Sequence, residues 1–302
     1  MKVAVLGPGG VGGLIAGALA RGENDAEVIV IARPSTAALI AARGVRVSSV
    51  ALGEFVAHPL ALERLEQPVE ALIVASKATG LEAALERVAV APEIVLPLLN
   101  GLDHLALLRR RFAAGSVLAG AIRVEADRPQ PGVVVHTSPF LRIDMAAATP
   151  AADTRARELA ALLSDAGIPA RVLDSEADVM WAKLVRLNAL ACVTSAYDKL
   201  LGEIRSTPAL RADLIGAIEE GAAVARAEGA DIQAASALEE LERAHETLGS
   251  SMQRDIAAGR PPELDAIPGS VLRAAARHDL ACPTIARLVA VIQARLDARP
   301  DD

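Results

Sequence analysis

A G-x-G-x-x-G pattern lies near the start of the chain, after a short apolar run and ahead of a run of small residues. In a turn from strand to helix, the first glycine permits the tight turn and the second lets a pyrophosphate approach the backbone. The third lets the helix pack closely on the strand. The N–H groups at the helix N-terminus then face the anion. The pattern favours a dinucleotide site over an incidental glycine-rich turn, with the predicted contacts Gly7, Gly9, Gly10, Val11 and Gly12.

The residue after the second predicted strand bears on which dinucleotide is bound. Proteins that bind NAD usually carry an Asp or Glu near the end of this strand, which accepts a hydrogen bond from the ribose 2′-hydroxyl. Here the apolar run Val28–Ala32 ends at Arg33, and Ser35 and Thr36 follow. A guanidinium can hold a 2′-phosphate, so the sequence favours NADP(H). The alternative is an ordinary solvated arginine.

Polar residues also follow two later predicted strands. Lys77 lies just past the run Ala71–Ala75, and Asn100 lies just past Ile94–Leu98. Ligands of open α/β sheets bind beyond the carboxyl ends of strands, which makes both residues candidates for a binding site. A surface lysine would explain Lys77 equally well, and an Asn-Gly pair is most often only a turn.

The C-terminal half contributes a lysine within an apolar helix pattern and a second polar group. Lys183 either extends its stem towards solvent or lies partly buried beside a functional site. Ser251 and Glu263 flank the segment Gly259–Pro262, whose prolines would end a helix. This second group is either part of a site or an ordinary helix end with a capping carboxylate.

The elements that would position these residues suggest two domains. The runs Lys2–Leu6 and Glu27–Ala32 predict buried strands on either side of a helix over Val11–Ala20, which is a βαβ unit. Their continuation as alternating strands and helices indicates a mostly parallel, doubly wound sheet. Further strands are predicted at Val45–Val50, Ala71–Ala75, Ile94–Leu98 and Val117–Ile122, with helices at Leu81–Val88 and Leu102–Phe112.

The pattern changes further along the chain. Turn residues between 129 and 132 predict antiparallel strands that complete the first domain. From Asp174 onward the pattern is helical, so we predict a dinucleotide-binding domain over 1–173 and an all-helical domain over 174–302. Helices are predicted at Met180–Ala196, Ala209–Glu228, Ala235–Ile256 and Val271–Leu280.

Composition excludes several classes of function. The net charge of −7 argues against binding to nucleic acid or to an anionic membrane, and the aromatic content of 2% argues against base-stacking surfaces. Glycines interrupt the N-terminal apolar run where a signal peptide would need a continuous helix, so we expect a cytoplasmic protein. Cys192 and Cys282 are far apart and have no metal-binding spacing, which predicts buried, reduced thiols and no metal site.

These segments together resemble the ketopantoate reductase (2-dehydropantoate 2-reductase) family over nearly the whole chain. The block that begins at Ser250 and ends at Asp265 is the most specific match, followed by Pro268-Gly269 and His278–Pro283. The other matching motifs are Gly7-x-Gly9-x-x-Gly12, Arg33, Ser76-Lys77, Asn100-Gly101 and Trp181-x-Lys183-Leu184.

The resemblance implies an N-terminal Rossmann-type domain, a C-terminal helical domain and the NADPH-dependent reduction of a 2-keto acid. The substrate would be 2-dehydropantoate and the product pantoate, as in pantothenate biosynthesis. By resemblance, Lys183 donates a proton or hydrogen bond to the ketone oxygen, a role that suits a cation. Glu263 organises the substrate and the lysine, Ser251 binds the substrate carboxylate, and Asn100 and Lys77 border the nicotinamide and the substrate.

The chain departs from the family's pattern at three positions. The family has asparagines four and eight positions after the lysine and three before the serine, where this chain has Leu187, Ala191 and Leu248. Asn188 is a candidate substrate ligand, although it is displaced by about 100° around the helix from Leu187. Two alternatives follow: a related oxidoreductase for a less polar carbonyl, or a non-catalytic NADP-binding sensor. The helical domain also makes a homodimer possible.

Overall fold

The computed structural model describes residues 1–22 and 26–298, which fall into two units. Unit 1 comprises Met1–Leu99 and His104–Val179, and unit 2 comprises Asn100–Asp103 and Met180–Asp302. The strands are β1 (Lys2–Leu6), β2 (Glu27–Ile31), β3 (Val45–Ser49), β4 (Gly53–Ala57), β5 (Leu60–Leu62), β6 (Ala71–Val74), β7 (Ile94–Pro97), β8 (Ala119–Arg123), β9 (Ala126–Gln130), β10 (Val133–His136), β11 (Arg142–Ala146) and β12 (Ala170–Val172). The α-helices are α1 (Gly10–Ala20), α2 (Pro34–Arg43), α3 (Leu81–Leu85), α4 (Asp103–Arg111), α5 (Pro150–Asp165), α6 (Glu176–Tyr197), α7 (Leu201–Ser206), α8 (Pro208–Ala227), α9 (Ala234–Arg243), α10 (Ser251–Ala257), α11 (Ser270–Arg277) and α12 (Pro283–Asp297). A π-helical turn, Asp265–Gly269, leads into α11.

Unit 1 is built around a five-stranded parallel sheet in the order β5-β2-β1-β6-β7. The central strand β1 is buried from Val3 to Leu6. A parallel strand covered on both faces needs such an unbroken apolar run, and the sequence therefore predicts it well. The strand order reverses at β1, since β2 lies on one side of it and β6 on the other. Ligands of open α/β sheets bind at such a point, beyond the carboxyl ends of the strands.

Two predicted strands do not extend this sheet. The run Val45–Val50 forms β3, which pairs with β4 and β10 in a four-stranded sheet of order β4-β3-β10-β9. The run Val117–Ile122 overlaps β8, which belongs to a three-stranded sheet of order β12-β11-β8. An apolar run identifies a strand but does not specify the neighbour with which it pairs. The predicted turn between 129 and 132 does join an antiparallel pair, β9 and β10.

Small residues allow α1 to pack closely against the four-stranded sheet. A Cβ atom on Gly13 would lie 2.7 Å from Val134 Cγ2, and one on Gly17 would lie 2.8 Å from Val47 Cγ2. Contacts this short are not tolerated in a packed interior. The Gly- and Ala-rich sequence of α1 is therefore a consequence of the helix's close approach to β10 and β3.

The described residues of unit 2 form helices and turns without a strand. The predicted helices at Met180–Ala196 and Ala209–Glu228 are confirmed by α6 and α8, and α8 ends one residue earlier, at Ala227. The single helix predicted over Ala235–Ile256 is wrong, because α9 ends at Arg243 and α10 begins at Ser251. The Ser250 hydroxyl accepts a hydrogen bond from the Gln253 N–H at 3.0 Å. Such a cap starts a new helix.

The two units confirm the predicted fold class, a doubly wound α/β domain followed by an all-helical one. Among the helices that the structure describes, none combines the length and the hydropathy required to cross a bilayer. Across residues 1–22 and 26–298, no three His, Cys, Asp or Glu side chains gather in a way that would hold a metal ion.

Candidate functional site

The glycine-rich turn between β1 and α1 is shaped by three close backbone contacts. Gly7 has a φ of +90°, and a Cβ atom there would lie 3.0 Å from the Ser76 backbone nitrogen. A Cβ atom on Gly12 would lie 2.3 Å from the Gly7 carbonyl oxygen, and one on Gly10 would lie 2.3 Å from the Ala126 carbonyl oxygen. These three positions therefore exclude any side chain.

Gly9 differs from its neighbours because it faces open space. No atom lies within 4 Å of the position that a Cβ atom would take at Gly9. The backbone at Gly9 is fixed by its N–H, which donates to the Gly7 carbonyl oxygen at 2.8 Å. The turn therefore leaves room above its second glycine, next to the N-terminus of α1. An anion can approach the backbone there.

Two predicted cofactor contacts lie beyond strands of the same parallel sheet. Arg33 is exposed and immediately precedes α2, just past the end of β2. Lys77 is also exposed and lies three residues past the end of β6. The strands β2 and β6 flank β1, so both residues belong to the carboxyl edge where the strand order reverses.

Three predicted site residues form a continuous hydrogen-bonded group in unit 2, which we call the trio: Asn100, Lys183 and Glu263. Lys183 Nζ donates to Asn100 Oδ1 at 2.8 Å. Asn100 Nδ2 donates to Glu263 Oε2 at 2.8 Å. All three side chains are half-buried. The Asn100 amide therefore accepts from the Lys183 ammonium with its oxygen and donates to the Glu263 carboxylate with its nitrogen. These two bonds fix the orientation of the amide.

The elements around the trio explain how residues distant in sequence meet. Lys183 lies on α6, and Asn100 follows β7 by three residues. The next residue, Gly101, has a φ of +83°, and a Cβ atom there would lie 1.9 Å from the Ala266 carbonyl oxygen. Only glycine fits this position. The close approach of Gly101 brings Asn100 beside the segment that carries Glu263.

Glu263 is positioned by the turn that precedes α11. Gly259, with a φ of +66°, lies just beyond the end of α10. The Ile267 N–H donates to the Glu263 carbonyl oxygen at 2.9 Å. The interruption predicted at Gly259–Pro262 is thus confirmed, and it places Glu263 at the entrance to the π-helical turn.

The two remaining predicted substrate ligands lie in different environments. Ser251 is exposed at the first residue of α10. Asn188 is 0% exposed on α6, and its Oδ1 accepts from Cys192 Sγ at 3.5 Å. This burial leaves no surface of Asn188 open to a ligand.

The two cysteines do not offer a reactive group. Burial raises the pKa of the Cys192 thiol to about 12, with the negative charge of Glu220 as the smaller cause. Burial likewise raises the pKa of the Cys282 thiol to about 11. Both thiols are therefore protonated at neutral pH and unsuited to nucleophilic chemistry. The sequence prediction of buried, unpaired cysteines is confirmed.

Sequence reasoning missed a charged contact next to the trio. Arg273 on α11 donates to Asp265 Oδ1 and to Asp103 Oδ2, both at 2.6 Å. The Asp103 partner is 170 positions away in the chain. The acidic residue at the start of α4 was visible in the sequence, but nothing there identified its partner.

The chain is similar to known proteins over almost its whole length. Residues 3–148 match a family model described as "Ketopantoate reductase PanE/ApbA", and residues 177–296 match "Ketopantoate reductase PanE/ApbA C terminal". The 2-dehydropantoate 2-reductase of Halobacterium salinarum is 28% identical, with 97% of this chain and 98% of that protein covered. The "Uncharacterized oxidoreductase YkpB" of Bacillus subtilis is 31% identical, with the same coverage of 97% and 98%.

A solved structure shares the fold at lower sequence identity. The ternary structure of D-mandelate dehydrogenase with NADH and anilino(oxo)acetate has a TM-score of 0.86 and is 22% identical, and 99% of each chain is covered. This likeness supports the fold assignment made from the two units.

Proposed function

Because the chain belongs to the ketopantoate reductase family, we propose that it reduces 2-dehydropantoate to pantoate with NADPH. The coarser statement follows from membership itself: the chain is an oxidoreductase that acts on a CH–OH group of a small acid. The observation that carries the finer proposal is the trio, in which Asn100 joins the Lys183 ammonium to the Glu263 carboxylate.

The glycine-rich turn fits the pyrophosphate of a nicotinamide dinucleotide. The open space above Gly9 lies beside the N-terminus of α1, and the first turn of that helix carries no acidic residue that would repel an anion. Arg33, rather than an Asp or Glu, follows β2, and we assign it to the 2′-phosphate that distinguishes NADPH from NADH. When bound, NADPH supplies the hydride.

Lys183 is the proposed proton donor. Reduction places a hydride on the carbonyl carbon and a proton on the carbonyl oxygen, where negative charge develops in the transition state. An ammonium beside that oxygen stabilises the charge and then supplies the proton. Asn100 Oδ1 accepts a hydrogen bond from Lys183 Nζ without bringing a negative charge to it. The resulting amine regains its proton from water.

Glu263 and Ser251 complete the proposed substrate contacts. Glu263 accepts the Asn100 Nδ2–H and so holds the amide with its oxygen towards Lys183. We assign Ser251, exposed at the start of α10, to the substrate carboxylate. Asn188 is not included among these contacts because it is fully buried. These roles follow the family resemblance.

A second candidate substrate is a less polar 2-keto acid. The helix α6 is continuous from Glu176 to Tyr197, so residues four and eight positions after Lys183 lie along one side of it with the lysine. Leu187, half-buried at the first of these positions, offers no hydrogen bond to a substrate hydroxyl, and Ala191 at the second is fully buried, as Asn188 is. D-mandelate dehydrogenase has the same fold, and its ligand anilino(oxo)acetate carries an aromatic group.

The decisive experiment is NADPH oxidation by the purified protein with 2-dehydropantoate, followed by absorbance. NADH in place of NADPH tests the cofactor, and Lys183→Ala tests the proton donor. We expect turnover that is selective for NADPH and lost in the variant. Unchanged turnover in Lys183→Ala would contradict the proposed mechanism.

Comparison of substrates separates the remaining possibilities. A panel of branched and aromatic 2-keto acids distinguishes the two candidate substrates by their kcat/KM values. Tight NADPH binding with no turnover of any keto acid would instead support the non-catalytic sensor. The predicted homodimer and the cytoplasmic location stay predictions, and size-exclusion chromatography tests the first.

A further inference from the structure

Arg273 joins two segments of the site with one guanidinium group. Its Nη1 donates to Asp265 Oδ1 at 2.6 Å, and its Nη2 donates to Asp103 Oδ2 at 2.6 Å. Nη2 also lies 2.9 Å from the Asp265 backbone carbonyl oxygen, which accepts from it. A planar guanidinium suits this arrangement, because its fixed fork of donors can hold two carboxylates at once.

The two aspartates belong to the segments that carry two members of the trio. Asp103 is three residues after Asn100, and Asp265 is two residues after Glu263. The segments are therefore connected twice: by the hydrogen bond from Asn100 to Glu263 at one end, and through Arg273 at the other.

The segments also touch directly beside these two connections. The α-carbon of Gly101 approaches the Ala266 carbonyl oxygen so closely that a Cβ atom would lie 1.9 Å from it. Because the two backbones are in direct contact, a shift of the segment that carries Ala266 also displaces Gly101 and, with it, Asn100. The charged connection and the close contact restrain the same pair of segments.

We propose that Arg273 is a positioning residue for the reductase, which holds Asn100 at the distance needed to meet both Lys183 and Glu263. This inference rests on the proposed function. Without the guanidinium, the Asp103 and Asp265 carboxylates would lose the shared hydrogen-bond donor that joins them. The segments would separate at this end, and the amide of Asn100 would move with them.

These side chains are largely exposed, so we expect them to affect the position of Asn100 more than the free energy of folding. Arg273 is 44% exposed, Asp103 52% and Asp265 88%. Ion pairs this exposed contribute little to the free energy of folding. Catalysis is more sensitive, because a misplacement of about 1 Å can cost about 100-fold in rate.

The same helix provides a matched control. Arg277 lies one turn further along α11 and forms an ion pair with Glu228 at 3.0 Å. Arg277 is 52% exposed, and neither residue of this pair belongs to the segments that carry the trio. Arg277→Gln therefore removes a comparable ion pair from the same helix without disturbing those segments.

The test compares four variants in the full-length protein: Arg273→Gln, Arg277→Gln, Asp103→Asn and the double variant R273Q/D103N. We measure kcat and KM with the best 2-keto acid, the Kd of NADPH and the melting temperature. We expect kcat to fall about tenfold in Arg273→Gln, with the Kd of NADPH unchanged. Arg277→Gln should match the wild type, and the double variant should match Arg273→Gln alone, because Asp103 acts through Arg273.

Several results would overturn the inference. Equal kcat values for Arg273→Gln and Arg277→Gln would show that Arg273 forms only an ordinary surface ion pair. Fully additive losses of kcat from R273Q and D103N in the double variant would show the same. If Arg273→Gln fails to fold, Arg273→Lys keeps the charge but has a single ammonium in place of the fork. We then expect an intermediate kcat, and a wild-type value would reject the proposal. A wild-type protein that reduces no 2-keto acid would instead reject the proposed function, and this inference with it.

Discussion

Replacing Asn100 with leucine removes both hydrogen bonds of the trio while nearly preserving the size of the side chain. Lys183 Nζ would lose the Asn100 acceptor, and Glu263 Oε2 would lose the Asn100 donor, each at 2.8 Å in the structure. Both lost bonds involve a charged partner, which makes them stronger than bonds between neutral groups. Asn100→Leu is therefore the most direct test of whether the trio works as a unit.

The expected loss follows from the strength of these bonds. A hydrogen bond to a charged group contributes about 1.5–3 kcal/mol. The three side chains are half-buried, so water replaces part of each bond, and we take the lower end, about 3 kcal/mol for the two. If this loss falls on the transition state, kcat/KM decreases about 150-fold.

The assay is steady-state NADPH oxidation with the best 2-keto acid, together with a thermal melt to confirm folding. We expect the Kd of NADPH to stay near the wild-type value, because the proposed pyrophosphate contacts lie on the glycine-rich turn of unit 1. A folded variant that loses less than about tenfold in kcat/KM, or about 1.4 kcal/mol, would refute the reasoning.

Asn100→Asp separates the two bonds. It keeps the acceptor for Lys183 Nζ but places a second carboxyl oxygen 2.8 Å from Glu263 Oε2. Two carboxylates this close raise the pKa of one of them, and the protonated form can donate a hydrogen bond again. We therefore expect the activity of Asn100→Asp, relative to the wild type, to rise as the pH is lowered. Asn100→Leu should show no such recovery, and a similar recovery in both variants would contradict this account.

Three further changes test other parts of the structure. Arg33→Ala should lower kcat/KM about tenfold with NADPH and leave it unchanged with NADH, because only the contact to the 2′-phosphate is lost; an equal loss with both cofactors would exclude this role. Gly101→Ala should lower both the melting temperature and kcat, since its φ is +83° and the new Cβ atom would lie 1.9 Å from the Ala266 carbonyl oxygen. Gly229→Ala is the control, because its φ is +88° but no atom lies within 4 Å of the Cβ position, so a kcat loss shared by both variants would not support the contact. Burial lowers the pKa of His136 from 6.5, so the unfolded chain binds more protons and the free energy of unfolding falls as the pH drops below about 6.5. His136→Gln should flatten this dependence in urea unfolding between about pH 5 and 8, and an unchanged slope would assign it to other groups.

The sequence is most informative where one physical requirement dominates. The bounds of β1, α1 and β2 agree with prediction to within one residue, because a buried parallel strand needs an unbroken apolar run and the turn after it needs glycines. The sequence does not predict the strand β5, since Leu60 is exposed and the other two residues are only partly buried. The helix α5 was also missed, although the chain shows its start: the Thr149 side chain accepts the Ala152 N–H, and Pro150 follows as the first helical residue.

Contacts within the site are harder to predict than its residues. Lys183, Asn100 and Glu263 each belong to a recognised motif, but each motif alone had an ordinary structural explanation. Their contacts join positions 83 and 163 apart in the chain, and periodicity carries no information over such distances. Leu248 and Ala191 show the same limit, because the sequence identifies them as apolar and the structure adds that both are buried.

The order of groups in the trio has a chemical consequence for the proposed reaction. A carboxylate hydrogen-bonded directly to the lysine would cancel much of the positive charge that the developing oxyanion requires. In the observed chain of hydrogen bonds, a neutral amide contacts Lys183, and the Glu263 carboxylate contacts the far side of that amide. Glu263 therefore orients the Asn100 amide, whose oxygen accepts from the lysine. An amide in this position combines two properties that neither leucine nor aspartate provides together, a fixed orientation and no net charge.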